Sequence, residues 1–241
     1  MVAMVDGAKG PPADPLCGVA VGPLLSLLRL VSPGLPVGGY SYSRGLEYAV
    51  ESRVVHDEAS ASDWIGAYVE RVGAGTDAPL LRLIYDALSR NERAAVTRLE
   101  QTVQALRESA ELRMEDHHMG LALARLLADL GSERASALVG HPDCSFVSLF
   151  ALAALEQQIP VAAAVAGYLW LLAESQVSAA IRLIPLGQTA GQRILQSLLA
   201  NLPAWTAAAL ARREEEVGSY LPGMAIASAL HETQYARLFR S

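Results

Sequence analysis

The sequence predicts an all-α protein, a single bundle of about eight to ten helices with a flexible tail at each end. Apolar residues recur at helical spacing through most of the chain, and no stretch shows the period-two alternation of β-branched residues that is typical of strands. Hydrophobic residues make up 52% of the 241 residues, enough for a large core. We expect residues 1–22 to be a disordered tail, residues 23–223 the helical domain, and residues 224–241 a separate C-terminal tail.

Start and stop signals mark the helices of the N-terminal third. A short apolar helix over residues 24–31 should stop before Pro33, because the residue before a proline disfavours helical geometry. A second short helix should follow Ser43, a suitable N-cap. Ser60 and Asp63 have the spacing of a capping box, which predicts an amphipathic helix directly after them.

Proline and changes in hydrophobic pattern mark the later helices. Further helices are expected to begin at Thr76 or Asp77 and to cover residues 92–130, 145–157 and 160–184. The last two are apolar on nearly all sides, which indicates central, buried helices. Another helix should cover residues 191–200, and Pro203 should open the last main one, since proline is favoured in a first helical turn.

Charge and cysteine content narrow the class of protein. The net charge is −6 and the only lysine is Lys9, which argues against a nucleic-acid partner because phosphate binding needs clustered cations. Cys17 and Cys144 do not make a disulfide framework, so a reducing, cytoplasmic setting is expected, and the first residues show no signal peptide. The longest apolar run, residues 159–173, has 15 residues, short of the roughly 20 that a membrane span needs. We expect no membrane contact, with a membrane-associated helical protein as the alternative.

Two polar clusters raise the alternative of an enzyme or a metal site. Glu115 and His118 could share a divalent metal on one helix face, with His117 as an acid–base group. His141 and Cys144 are three residues apart and are suitable ligands for nickel or zinc. The competing interpretations are a solvated helix face and a structural loop with a buried cysteine. Because the sequence has no phosphate-binding loop, nucleophile elbow or zinc-protease motif, we assign no catalytic, cofactor-binding or metal-binding residue.

An arginine and two aromatic segments are further candidates for a structural or partner-binding role. Arg182 lies in an apolar helix, which predicts a buried guanidinium that anchors carbonyls or a carboxylate, or else lines a polar passage. Residues 32–47, "SPGLPVGGYSYSRGLE", form a glycine-rich corner with two tyrosines, which predicts an exposed, tight loop whose tyrosines offer contact area to another protein. The end of the chain, residues 227–241, is apolar and follows a helix breaker, so we expect it to be detached from the bundle and to contact another protein. The alternative is a helix packed back onto its own domain.

Three blocks of the sequence together resemble the UreF family of urease accessory proteins. They are "LLRLVSPGLPVGGYSYSRGLEYAVESRVV", "LWLLAESQVSAAIRLIPLGQTAGQRIL" and the terminal "HETQYARLFRS". The resemblance implies an all-α, dimeric, cytoplasmic protein without enzymatic activity. It further implies that the protein bridges UreD (UreH in some species) and the GTPase UreG, so that nickel is inserted into apo-urease. No cofactor would be tightly bound, and nickel would be handled only transiently by the complex.

The resemblance also assigns partner-binding residues. In the family the C-terminal tail docks on UreD/UreH and becomes ordered as it binds. That assigns docking to Tyr235, Arg237, Leu238, Phe239 and Arg240. A second signature, near the dimer and partner surfaces, comprises Pro36, Gly38, Gly39, Tyr40 and Tyr42. A third, at a helix junction facing the GTPase or the route of the ion, includes Pro185, Gly187 and Gln188.

Overall fold

A computed structural model of the chain describes residues 18–141 and 144–240. These residues form helices and no strand, which confirms the all-α prediction. The α-helices are α1 (Val21–Leu30), α2 (Leu46–Glu51), α3 (Glu58–Tyr68), α4 (Ala78–Ser89), α5 (Arg93–Ala105), α6 (Ala110–Asp129), α7 (Glu133–Ser136), α8 (Phe146–Glu156), α9 (Val161–Leu183), α10 (Gln188–Ala211) and α11 (Pro222–His231). A π-helix joins α3 to α4 without a break, so the described part of the chain has ten separate rods, within the expected range. Most of the predicted N-terminal tail lies outside the described residues.

Helix α9 is the centre of the bundle. It packs against α10, α4, α3, α2, α8 and α1, and its apolar side chains are mostly buried, as the all-round apolar pattern predicted. Tyr168 of α9 lies edge-on to Phe150 of α8, with ring centroids 5.3 Å apart. Phe146 contacts both rings. Aromatic burial of this kind contributes strongly to core stability.

Helices α9 and α10 are long and apolar enough to cross a membrane by length and composition alone. The protein itself buries 72% of the apolar window of α9 and 33% of that of α10. A central helix of a water-soluble bundle passes the same test of length and hydropathy, so these two helices are weak grounds for a membrane span.

The start of α3 lies earlier than the sequence predicted. Asp57, and not Ser60, is the N-cap: its carboxylate accepts the amide N–H of Ser60 at 2.8 Å, and the Ser60 hydroxyl accepts the amide N–H of Asp57 at 3.1 Å. The helix therefore begins at Glu58. Asp57/Ser60 and Ser60/Asp63 have the same spacing of oxygen-bearing side chains, so the pattern alone could not choose between the two capping boxes.

The expected helix start at Thr76 or Asp77 is also wrong, because a π-helix over Val69–Asp77 continues the rod. A side-chain donor supports this unusual winding: Arg212 Nη1 donates to the carbonyl of Gly75 at 3.0 Å. The hydroxyl of Thr76 also donates to the carbonyl of Ser219 at 2.6 Å. The segment after α10 thus holds the π-helix in place, and π-helices are frequent at functional sites.

Pro203 does not open a helix, because it lies inside α10. Its ring is exposed to solvent, so the helix passes through a residue that lacks an amide donor instead of ending there. Helix α10 packs against α9 and α4, and its buried residues lie on both sides of Pro203, among them Leu202 before it and Ala209 after it. Tertiary contacts therefore outweigh the local preference of proline.

Candidate functional site

The chain ends in a segment, residues 232–240, that follows α11; we call it the C-terminal segment. The structure places it beside the corner defined above, residues 32–47. The amide of Arg240 donates to the carbonyl of Ser41 at 2.9 Å. The guanidinium of Arg182 lies 5.3 Å from the ring centroid of Phe239 and donates to the carbonyl of Tyr40 at 3.3 Å. Residues from all three sequence blocks therefore meet at one place.

The expectation that this end of the chain is detached from the bundle is wrong. Helix α11 packs on α2 and α6, and the ring of Phe239 is only 5% exposed. Tyr235 and Leu238 point outward instead, with Tyr235 fully exposed and Leu238 66% exposed. The segment thus has an inward anchor and an outward apolar face. The sequence could not separate these roles, because residues 232–240 are not helical in the structure, so helical spacing does not indicate which of their side chains face inward.

Four charged or titratable side chains fasten the C-terminal segment; we call Glu47, Glu111, His231 and Arg237 the carboxylate clasp. The ring of His231 lies between the carboxylates of Glu111, at 2.9 Å, and Glu47, at 3.1 Å. The other oxygen of Glu111 accepts from Arg237 at 3.0 Å. Glu47 also accepts the amide N–H groups of Leu238, at 2.6 Å, and Phe239, at 2.9 Å. His231, Glu47 and Glu111 are buried, so these contacts are shielded from water.

The corner is less exposed than the sequence suggested. Gly38 has a φ of +76°, a left-handed conformation that favours glycine, and a short 3₁₀ helix, Gly39–Ser41, follows it. Tyr40 is partly buried, and its hydroxyl donates to Glu174 at 2.7 Å; burial and Glu174 raise the pKa of Tyr40. Tyr42 is buried, so it is not a free contact residue. Pro36 remains exposed.

The third signature lies at the junction between α9 and α10. Pro185, Gly187 and Gln188 are exposed there, and Gly187 is the N-cap of α10. Arg182, one turn earlier, is exposed and not buried as predicted, although it does anchor a carbonyl, that of Tyr40. The apolar pattern of α9 misled the prediction, because its last turn reaches the surface.

A buried ionic cluster, which the sequence did not reveal, lies beneath the π-helix. Arg107 donates to Asp77 at 2.7 Å and to Asp116 at 3.2 Å. Arg44 donates to Glu115 at 2.6 Å. The partners come from the π-helix, from α6 and from two loops far apart in the chain, so no local spacing could have indicated them. The cluster ties these elements together, because a buried charge must be paired.

Burial dominates the electrostatics of this cluster. It raises the pKa of Asp116 and of Glu115, and the nearby arginines offset only part of that rise. For Arg107, burial opposes the charged form, but Asp116 and Asp77 together hold its pKa above the usual value. A cavity of about 20 Å³ adjoins the cluster, a volume that suits one water molecule. The role of the cluster is therefore structural: it holds the π-helix, α6 and the two loops together, and a small pocket adjoins it.

The alternative metal site on α6 does not assemble. Glu115 is buried and paired with Arg44, whereas His118 is exposed, so the two side chains face different surroundings in spite of their spacing. His117 is only partly buried. Among the described residues no group of three or more His, Cys, Asp or Glu side chains is placed to hold a metal ion.

The second candidate metal pair, His141 and Cys144, has its two side chains in different environments. His141 is exposed, whereas the thiol of Cys144 is buried; Pro142 and Asp143, between them, lie outside the described residues. Burial, with Glu100 and Asp116 nearby, raises the pKa of Cys144 to about 12. A metal ligand or nucleophile must be a thiolate, so this thiol is poorly suited to either role.

The buried thiol leads to a simple prediction. In a Cys17→Ser background, the folded protein at neutral pH is expected to react with a water-soluble thiol reagent far more slowly than the unfolded chain, because the thiol is both protonated and inaccessible. Labelling that is quenched at successive times and analysed by mass spectrometry gives the rate of thiol modification in buffer and in denaturant. Rapid labelling of the folded protein would contradict this placement of Cys144.

The described residues define an all-α protein that displays apolar and aromatic groups on a fastened C-terminal segment, a surface of the kind that binds other proteins. Comparison with known proteins gives the family. The family model described as UreF matches residues 55–199. "Urease accessory protein UreF" of Alkalilimnicola ehrlichii is 46% identical over 215 residues, which cover 89% of this chain and 94% of that protein. "Urease accessory protein UreF 2" of Brucella anthropi is 44% identical, with 91% of this chain and 96% of that protein covered.

A third relative, "Urease accessory protein UreF" of Azoarcus sp., is 46% identical over 91% of this chain and 96% of its own length. The chain therefore belongs to the UreF family of urease accessory proteins. The resemblance seen in the three sequence blocks is confirmed, and with it a role in urease maturation.

Proposed function

We propose that this protein is a non-enzymatic, cytoplasmic urease maturation factor that bridges UreD/UreH and the GTPase UreG. Through that assembly nickel would be inserted into apo-urease, with no cofactor tightly bound to this chain. The observation that carries the proposal is the outward apolar face of the C-terminal segment, Tyr235 and Leu238, beside the corner. An exposed tyrosine on an ordered backbone is typical of an interface hot spot, and the exposed leucine near it adds apolar area that a partner's recess would bury.

The surface chemistry around this face supports one type of partner. Arg240 is exposed and Arg237 is 41% exposed while it contacts Glu111. A surface of UreD/UreH with an apolar recess and carboxylates at its rim would complement these groups. The junction of Pro185, Gly187 and Gln188 is exposed beside Arg182, which leaves it accessible to a second partner such as UreG.

The proposal also includes a homodimer, and helix α1 supports this part of it. Four of its apolar side chains, at positions i, i+3, i+4 and i+7, are exposed: Val21, Leu24, Leu25 and Leu28. Such a stripe lies along one side of a helix, and it carries no charge that would oppose a second copy of itself. A two-fold dimer requires a self-complementary patch of this type.

The docking role is tested by the substitution Leu238→Asp. Because Leu238 is exposed, the change should leave the fold intact and place an unpaired charge in the partner's apolar recess, a loss of about 2–4 kcal/mol in binding. We expect UreD/UreH to be lost from the purified complex, and urease activation in cells to fall with it. The measurement is co-expression with UreD/UreH and UreG, affinity purification and gel filtration.

Leu130→Asp is the matched control. Leu130 is 59% exposed and follows the far end of α6, roughly 30 Å along the helix from Ala110, whose amide contacts Glu232. That variant should purify with its partner in full yield. A point substitution is preferable to deleting residues 232–241, since deletion also removes the buried ring of Phe239. Full recovery of UreD/UreH with the Leu238→Asp variant would refute the docking role.

A further inference from the structure

The carboxylate clasp determines the shape of the C-terminal segment as well as its location. The amide N–H groups of two successive residues, Leu238 and Phe239, both donate to the carboxylate of Glu47. Successive amides of an extended chain point in opposite directions, so the two oxygens of one carboxylate can accept one amide each only if the backbone bends. The structure has a bend at these two residues, an arrangement of successive amides that binds an anion.

Because of this bend, the side chains of the two neighbouring residues differ in their exposure to solvent. The ring of Phe239 is directed inward, where it lies beside Arg182, while Leu238 remains 66% exposed. Upstream, Arg237 is held by Glu111, and the carboxylate of Glu232 accepts the amide N–H of Ala110 at the start of α6. Contacts at the start, middle and end of the segment thus fix which side chains face solvent.

The clasp and the segment depend on each other. Glu47 and Glu111 are buried carboxylates, and a buried carboxylate needs hydrogen-bond donors. Without the C-terminal segment Glu47 would lose two of the donors named above, and Glu111 would lose Arg237. His231, at the end of α11, lies between both carboxylates and connects α2 to α6 through one ring.

We propose that Glu47 and Glu111 are positioning residues for partner binding: they hold the C-terminal segment in a bent conformation that presents Tyr235 and Leu238 to UreD/UreH. This inference rests on the proposed docking function and adds to it two residues that do not touch the partner. Partner binding requires this bent conformation, so contacts that stabilise it reduce the free-energy cost of ordering the segment and give a tighter complex.

The test uses the full chain with Glu47→Gln. Gln keeps the size of Glu but has only one acceptor oxygen, so at least one of the two amides loses its acceptor. We expect hydrogen exchange at the amides of Leu238 and Phe239 to become roughly tenfold faster, and the Kd for UreD/UreH to rise roughly tenfold, as the loss of a hydrogen bond to a charged group implies. Exchange is followed by mass spectrometry or NMR, and Kd by titration calorimetry.

Asp77→Asn is the matched control. Asp77 is also a buried carboxylate, but it contacts Arg107 and Tyr168 and not the C-terminal segment. The Asp77→Asn variant should have a lower melting temperature, whereas the amide hydrogen exchange of Leu238 and Phe239 and the Kd for UreD/UreH should be unchanged. The comparison separates a general loss of stability from a loss of positioning.

Glu111→Gln provides a second route to the same result if Glu47→Gln does not fold, because it removes the charge that holds Arg237. An unchanged Kd in the variant that folds would overturn the inference, whether or not amide exchange accelerates. Leu238→Asp separates the two proposals. If Leu238→Asp abolishes binding and the Gln variants bind normally, docking stands and positioning falls. If Leu238→Asp binds normally, the docking function itself fails.

Discussion

Replacing Arg107 with methionine is expected to lower the free energy of unfolding by about 3–5 kcal/mol, the range found when one partner of a buried ion pair is removed. The side chain of Arg107 is 10% exposed, and its guanidinium donates to both Asp77 and Asp116. Methionine has a similar length but no charge, so the two carboxylates would stay buried and repel each other. Chemical denaturation followed by circular dichroism measures the loss.

Two further variants sharpen this expectation. Arg193→Met removes a surface arginine that pairs with Glu58; since such exposed pairs contribute little, its unfolding curve should match that of the unchanged chain. Combining Arg107→Met with Asp77→Asn should recover part of the lost stability, because one uncompensated charge is gone. If Arg107→Met were as stable as Arg193→Met, the ionic cluster would not have this structural role.

The second large effect is expected from Gly45→Ala, at the point where α11 crosses the start of α2. Gly45 has a φ of +80°, and a Cβ there would lie 2.8 Å from the amide nitrogen of Ser228 and 3.1 Å from the carbonyl oxygen of Met224. Because both obstacles are backbone atoms, α11 itself must move. We expect a loss of about 2–4 kcal/mol, from left-handed strain and overpacking together, measured by denaturant unfolding.

Gly38→Ala isolates the contribution of the crossing. Gly38 has a similar φ of +76° with nothing within 4 Å of an added Cβ, so it should lose only about 1–2 kcal/mol from the left-handed conformation. The excess loss in Gly45→Ala then measures the close approach of α11. Equal losses in the two variants would mean that α11 does not pack against α2 as described.

The fold could be predicted from the sequence because its main determinant, the spacing of apolar residues, is a local property of the chain. The all-round apolar pattern of α8 and α9 indicated their central position, and the absence of strand periodicity excluded a sheet. Where the prediction failed, a distant contact decided the outcome. Arg212, over 130 residues away, supports the π-helix that replaced the expected break at Asp77, and packing on α9 carries α10 through Pro203.

The candidate site was predictable only as a set of segments. The corner and the end of the chain were singled out from the sequence, and the structure brings the two segments together, but their burial was not predicted. Glu47 is one residue in a sequence block of 29 residues, and nothing local indicates that it binds amides about 190 positions later. Likewise Glu115 suggested a metal ligand, because its true partner, Arg44, is remote in the chain.

The contacts from Glu47 to the end of the chain are made through peptide groups, so they do not depend on which side chains occupy positions 238 and 239, proline excepted. The exposed residue at 238 can therefore diverge, in evolution or by redesign, to match an altered partner while the anchorage persists. Attachment of this segment to the helical bundle and recognition of a partner are therefore separable properties of the same short peptide.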